Sequence, residues 1–158
     1  MICRSVTATA TVAALLALAA AGCGPKFQHT TPKGFVELED QDDYDYRAVT
    51  ADGLVVAVRA IDHEPKGEIS FWTEAVINHM RQRGGYALLD RQDVKTSSGL
   101  PGTQLRFGHD EGQQPHLYWV TLFVTEDTIY VLEAGGTREQ MTARESEITA
   151  AVQSFRPD

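Results

Sequence analysis

Cysteine is almost absent. The 158 residues hold two, Cys3 and Cys23. Beyond position 23 no disulfide and no cysteine-ligated metal can form, so whatever folds there is held by its own hydrophobic core. Positive charge is scarce as well. There are 14 Lys and Arg against 22 Asp and Glu, a formal net charge of −8. That argues against a nucleic-acid partner, which needs basic patches, and against a polybasic grip on anionic lipid. No H-E-x-x-H motif is present. Ser97-Ser98-Gly99 lacks the second glycine of a hydrolase nucleophile elbow, so it reads as a turn before a strand. No internal repeat and no second domain is visible.

The N-terminus is what stands out. Arg4 is the only charge in positions 1–22, and Val6 to Ala21 contains only Val, Thr, Ala and Leu. The run is shorter than the about 20 apolar residues that span a membrane, and it has the layout of a secretory signal. It closes on Ala20-Ala21-Gly22-Cys23. Small residues before a cysteine at the end of such a run resemble a bacterial lipoprotein signal, the lipobox. That resemblance implies cleavage before Cys23 and a diacylglycerol and acyl chain on its thiol, a covalent anchor rather than a cofactor. Several chains hold firmly, since each buried methylene contributes about 0.8 kcal/mol. Two other readings of the run are an ordinary secretory signal, leaving Cys23 a free thiol, and an uncleaved anchor. Gly24, not Asp, follows the cysteine, which by the same resemblance leans towards the outer membrane without deciding between it and the cell membrane. Loss of Arg4 with the signal lowers the net charge by one, to −9.

Residues 23–34 read as a lipidated, flexible tether. Pro25, Pro32 and low apolar content argue against packing, and such a length spans roughly 20 Å. A single domain is expected over 35–158, large enough to bury about two-thirds of its unfolded surface. Phe35 to Leu38 opens it. Tyr44 to Thr50 alternates as a half-buried strand does. Asp52-Gly53 signals a hairpin into Leu54 to Ile61, which is apolar on both faces apart from Arg59 and suits a strand covered on both sides. From Ser70 to Arg83 the period becomes helical, with Trp72, Ala75, Val76, His79 and Met80 as the buried stripe. Strands follow over Tyr86 to Val94, Thr103 to Phe107, Leu117 to Thr125 and Thr128 to Ala134. Thr137 and Gln140 form a capping box for a closing helix whose face is Met141, Ile148, Ala151, Val152 and Phe155. The order β-β-β-α-β-β-β-β-α predicts an α+β domain: a mostly antiparallel sheet of six to seven strands with two long amphipathic helices packed on it.

These elements resemble the PsbP-like family, which includes a Ran-binding nuclear-transport factor and many bacterial lipoproteins. The likeness covers about Gly34 to Phe155. It is carried by Gly34-Phe35, the helix around Phe71-Trp72, and the Ser98-Gly99-Leu100-Pro101-Gly102 turn into Gln104-Leu105-Arg106-Phe107. Ile129-Tyr130-Val131-Leu132 and the closing Ser154-Phe155 complete it. The resemblance implies a PsbP-like layered sandwich and non-enzymatic roles, with no binding residues mapping across.

Four groups of side chains are candidates for chemistry. Glu37, Glu39, Asp40, Asp42, Asp43 and Asp45 crowd nine residues. Carboxylates suit calcium, but the EF-hand glycine and late Glu are missing, and a solvated loop that discourages edge pairing explains them as well. Asp40, Asp42, Asp43 and Asp45 are thus metal candidates of a weak kind. His63-Glu64 and His109-Asp110-Glu111 could furnish zinc ligands or a general base, but read as surface loops. His79 reads as a partly buried core residue. Trp72, Tyr118, Trp119, Phe123 and Tyr130 either line an apolar ligand pocket or fill an ordinary core. Together these readings predict an envelope lipoprotein, not an enzyme, held outside the cytoplasm by Cys23. Its partners would be the membrane, through the anchor, and another envelope protein. The alternative is a small-ligand or calcium-binding protein of the periplasm or cell surface.

Overall fold

A computed structural model describes residues 27–39 and 43–158. The strands are β1 (Phe27–Gln28), β2 (Val36–Glu37), β3 (Tyr46–Val49), β4 (Val55–Asp62), β5 (Ala87–Lys95), β6 (Pro101–Glu111), β7 (Gln114–Val124), β8 (Thr128–Thr137) and β9 (Arg156–Pro157). The helices are α1 (Ile69–Gly84), α2 (Arg138–Ala143) and α3 (Glu145–Ser154). Seven strands make one antiparallel sheet in the order β2-β3-β4-β8-β7-β6-β5, and β1 pairs with β9 in a small second sheet. This is the expected α+β sandwich, its hairpins set where the turn residues demand. Gly53, at φ 95°, closes β3 onto β4 from a backbone region that glycine tolerates best.

Alternate residues along a strand face opposite sides, and the two sides are covered differently. One face carries Val56, Val58, Trp119, Phe123, Tyr130, Leu132 and Ala134, packed under α2 and α3 through Met141, Ile148, Val152 and Phe155. The other carries Leu105, Phe107, Val120, Leu122, Ile129 and Val131, packed under α1 through Ile77. The helix α1 reaches β5, β6 and β7. It leaves β3, β4 and the end of β8 open, so β4 is covered on one side only and Ile61 is exposed.

Four expectations are corrected, the first being the strand over Leu54 to Ile61, expected to be covered on both sides and covered on one. Of the tether expected over 23–34, the described residues 27–34 do not stay clear of the domain. Phe27 is 3% exposed, and its ring contacts Phe155 and Tyr130 with centroids at 5.5 and 6.1 Å. Thr31 accepts a hydrogen bond from the Tyr46 hydroxyl at 3.2 Å, and Pro32 is buried. One aromatic side chain, two residues of strand pairing and the Thr31 contact outweigh the two prolines. The closing helix is two helices, broken at Arg144, where φ is −120°. That turn lets both Met141 and Ile148 reach the core. In α1 the buried residues are Thr73 and Ile77, while Ala75 and His79 are exposed. The stripe is rotated by about one position because the helix lies over β5 to β7 and turns its Trp72–His79 flank towards the open half of the sheet.

Candidate ligand groove

The open half of the sheet forms a trench in two connected parts. Between α1 and the sheet lies a groove of about 590 Å³, floored by Val120, Ile129 and Val131 and walled by Trp72, Val76 and Met80. Next to it is a polar recess of about 460 Å³, bounded by Tyr44, Arg47, Asp52, His116 and Gln140. The two share Tyr86, Tyr118 and Glu133. Tyr118 can lie close against β8 because its neighbour there, Gly135, is bare. A Cβ on Gly135 would meet the Tyr118 ring at 2.8 Å.

The charged centre of the trench is Glu133, 8% exposed in the middle of the sheet. Its Oε1 accepts from Arg59 Nη2 in an ion pair. In the β4–β8 register Glu133 stands opposite Ala57, two residues from Arg59, so the pair is a diagonal cross-strand contact. The Arg59 guanidinium lies 5.2 Å from the centroid of the Tyr44 ring, and that of Arg47 lies 5.6 Å from the same centroid. Burial, and after it the negative charge of Glu133 beside the hydroxyl, push the Tyr118 pKa well above the ordinary phenol range. Glu133 Oε2 and Arg59 Nε are both buried without a hydrogen-bond partner. A buried donor and a buried acceptor left open on adjacent residues are costly, about 1–3 kcal/mol each, and mark a place suited to a polar group.

The residues named from sequence do not gather into one site. Trp72 and Tyr118 line the groove, whereas Trp119, Phe123 and Tyr130 sit in the core on the opposite face. The expected aromatic pocket is thus divided by the sheet itself. Trp119 is covered by Arg106, whose guanidinium lies 3.9 Å from the ring centroid and pairs with Glu145 at 3.0 Å. Asp43 is exposed, and Asp45 Oδ2 accepts from the Ala60 N–H at 2.7 Å. Asp40, Asp42 and Cys23 lie outside the described residues. Among the described residues, no group of three or more His, Cys, Asp or Glu side chains comes together.

The histidines differ from the surface loops expected. His63 is 6% exposed. Its Nε2 accepts from the Gly67 N–H at 2.9 Å and the Trp72 indole N–H at 3.2 Å, which places the ring proton on Nδ1, 2.8 Å from the Thr125 carbonyl. His109 is on β6, its ring 4.9 Å from that of Tyr86. His79 edges the groove. Reading by motif missed Arg59, Glu133, Tyr44 and Arg47. The available signal was that Arg59 and Glu133, of opposite sign, each interrupt a run of apolar residues inside a strand.

No protein-family model matches the sequence, and no curated protein matches it. Solved structures match the fold. The LpqN protein of Mycobacterium tuberculosis, described as involved in cell envelope biogenesis, is similar with a TM-score of 0.64 at 8% identity, over 82% of this chain and 81% of that one. The cyanobacterial PsbP, CyanoP, of Synechocystis sp. PCC 6803 gives 0.59 at 10% identity, over 87% and 89%. The Saccharomyces cerevisiae Ran-binding protein Mog1p gives 0.58 at 14% identity, over 85% and 92%. The chain therefore has a PsbP-like fold. At these identities the likeness is one of fold, which hosts unrelated functions.

Proposed function

We propose that this chain is an exported lipoprotein, fixed to a bacterial envelope membrane through Cys23, and that its domain is a non-catalytic binding module. The observation that carries this reading is the half-covered sheet: α1 leaves an open trench lined by Ile61 and Trp72, Ile61 is 48% exposed, and Phe71, its ring 5.1 Å from that of Trp72, is 56% exposed. Apolar side chains exposed beside an open groove suit an interaction surface. The polar groups are arranged for holding rather than for reaction. Glu133 is paired with Arg59, and His63 has both ring nitrogens engaged in fixing a loop. The envelope role of LpqN and the Ran-binding role of Mog1p, on the same fold, support a module that meets another protein. Among the described residues, no helix is long and apolar enough to cross a membrane.

The test is crosslinking in the native host. A photo-crosslinking residue replaces Phe71, and captured proteins are identified beside a Cys23→Ser form that is exported but unlipidated. Mass spectrometry of the N-terminal peptide reports acylation separately. Capture of one envelope protein by the anchored form, lost with Cys23→Ser, is the expected outcome. An unacylated Cys23 would overturn the anchor, and absence of any specific capture would overturn the protein partner. A second reading, favoured by the trench, is a small-ligand-binding protein of the periplasm or cell surface.

A further inference from the structure

We propose that the groove and the recess beside it hold one amphipathic molecule. Its apolar chain would lie along Trp72, Val76 and Met80, and its uncharged, hydrogen-bonding head, a hydroxyl or amide, would meet Arg59 and Glu133. This deepens the small-ligand reading and rests on it. Three observations lead here. First, the trench changes character along its length. The part under α1 is walled by aliphatic, Met and Trp side chains, and the part beyond Tyr118 by Tyr44, Arg47, His116 and Gln140. A wholly apolar guest would leave the second part unmatched, and a wholly polar one the first. Each part falls within the roughly 300–1,000 Å³ of ordinary ligand sites.

Second, the charges around the junction balance. Arg47 and Asp52 line the recess, Arg59 lines the groove, and Glu133 lines both. A charged head of either sign would meet as much repulsion as attraction and would lose its hydration on entering. Third, the open hydrogen-bonding capacity has both polarities. Glu133 Oε2 is an acceptor and Arg59 Nε–H a donor, both buried, both without a partner, on residues already joined by an ion pair. A carboxylate guest could answer only the donor and an ammonium only the acceptor. A hydroxyl or an amide answers both.

The test uses the whole Cys23→Ser chain and isothermal titration calorimetry with three ten-carbon probes, each below its micelle concentration: decanoyl-N-methylglucamide, decanoate and decylammonium. The expected result is saturable binding of the uncharged probe, about tenfold or more tighter than either charged one, a difference near 1.4 kcal/mol. Ala75→Phe, on the exposed flank of α1 that lines the groove, should weaken all three probes without disturbing the fold. Glu133→Gln should remove the preference for the uncharged head. Binding of all three probes with equal strength would overturn the head-group assignment while leaving a ligand groove. No binding of any probe, or binding indifferent to Ala75→Phe, would overturn the small-ligand reading itself. None of these outcomes bears on the anchor, which the mass of the Cys23 peptide reports.

Discussion

Trp72 donates its indole N–H to Nε2 of His63 across 3.2 Å, tying the first turn of α1 to the loop that leaves β4. The same nitrogen takes the Gly67 N–H, and Nδ1 serves the Thr125 carbonyl at the β7–β8 hairpin. One imidazole thus joins three segments, and Trp72 stays against the groove because of it. A His63→Phe variant keeps the ring volume and loses all three bonds. It should lower stability by about 1–3 kcal/mol, the cost of leaving buried donors unmet. Urea denaturation measures this, and hydrogen exchange should quicken first at Gly67 and in the opening turn of α1.

Phe27 is expected to behave as a core residue. Its ring sits against Phe155 and Tyr130 on the α2–α3 face, although it lies only four positions after Cys23. Phe27→Ala should cost about 3–5 kcal/mol, as large-to-small core changes do. Val36→Ala, at a position 68% exposed, should stay within about 0.5 kcal/mol. A free tether predicts no effect from either, so equal denaturation midpoints would refute the packed N-terminus. Four residues span at most about 14 Å. If Cys23 is acylated, the β1–β9 pole of the domain is therefore held next to the bilayer, on the far side of the sheet from the groove.

Much of the fold was legible because its signals are local. Alternation in Tyr44 to Thr50, the Asp52-Gly53 turn and the Thr137–Gln140 capping box each place an element from a few residues, and the structure has the box as expected. The groove was illegible because it depends on how far a helix reaches across a sheet. Periodicity says that α1 has an apolar stripe. It does not say that Thr73 and Ile77 are covered while Ala75 and His79 stand at an open edge. The aromatic cluster failed for a related reason: Tyr118 and Trp119 are adjacent in sequence and so face opposite sides of β7. Composition likewise hid the fate of residues 27–34, since one Phe at the right place weighs more than the surrounding Thr and Pro.

Alkaline pH should expose the burial of Tyr118. Its folded pKa is raised, by burial first and by the Glu133 charge next, and those of Tyr46 and Tyr130 are raised too, chiefly by burial. Above the unfolded phenol value near 10, the unfolded chain loses protons that the folded chain keeps. The unfolded state then binds fewer protons, so stability must fall as pH rises through that value. Denaturation midpoints taken from pH 8 upward should decline beyond about pH 10. Tyr118→Phe should shrink that decline, because the phenylalanine ring keeps the packing on Gly135 and has no proton to lose.

Acid should loosen the N-terminal segment through His29. Its ring lies 3.7 Å from that of Tyr46 and 5.6 Å from that of Phe27, and its Nε2 is buried with no hydrogen-bond partner. Burial holds its pKa below the ordinary imidazole value, although the Glu37 carboxylate pulls the other way. With the folded pKa lowered, the unfolded chain takes up a proton first as pH falls below about 6.5. Stability is therefore full above that value and is lost as pH falls through the folded pKa. His29→Phe should flatten this acid limb between about pH 6.5 and the range where carboxylates titrate. Hydrogen exchange at Thr30, whose N–H donates to Ser154 Oγ at 3.1 Å, should quicken at pH 5 in the parent chain and stay slow in the variant. Equal acid limbs in the two proteins would assign the loss to the carboxylates instead.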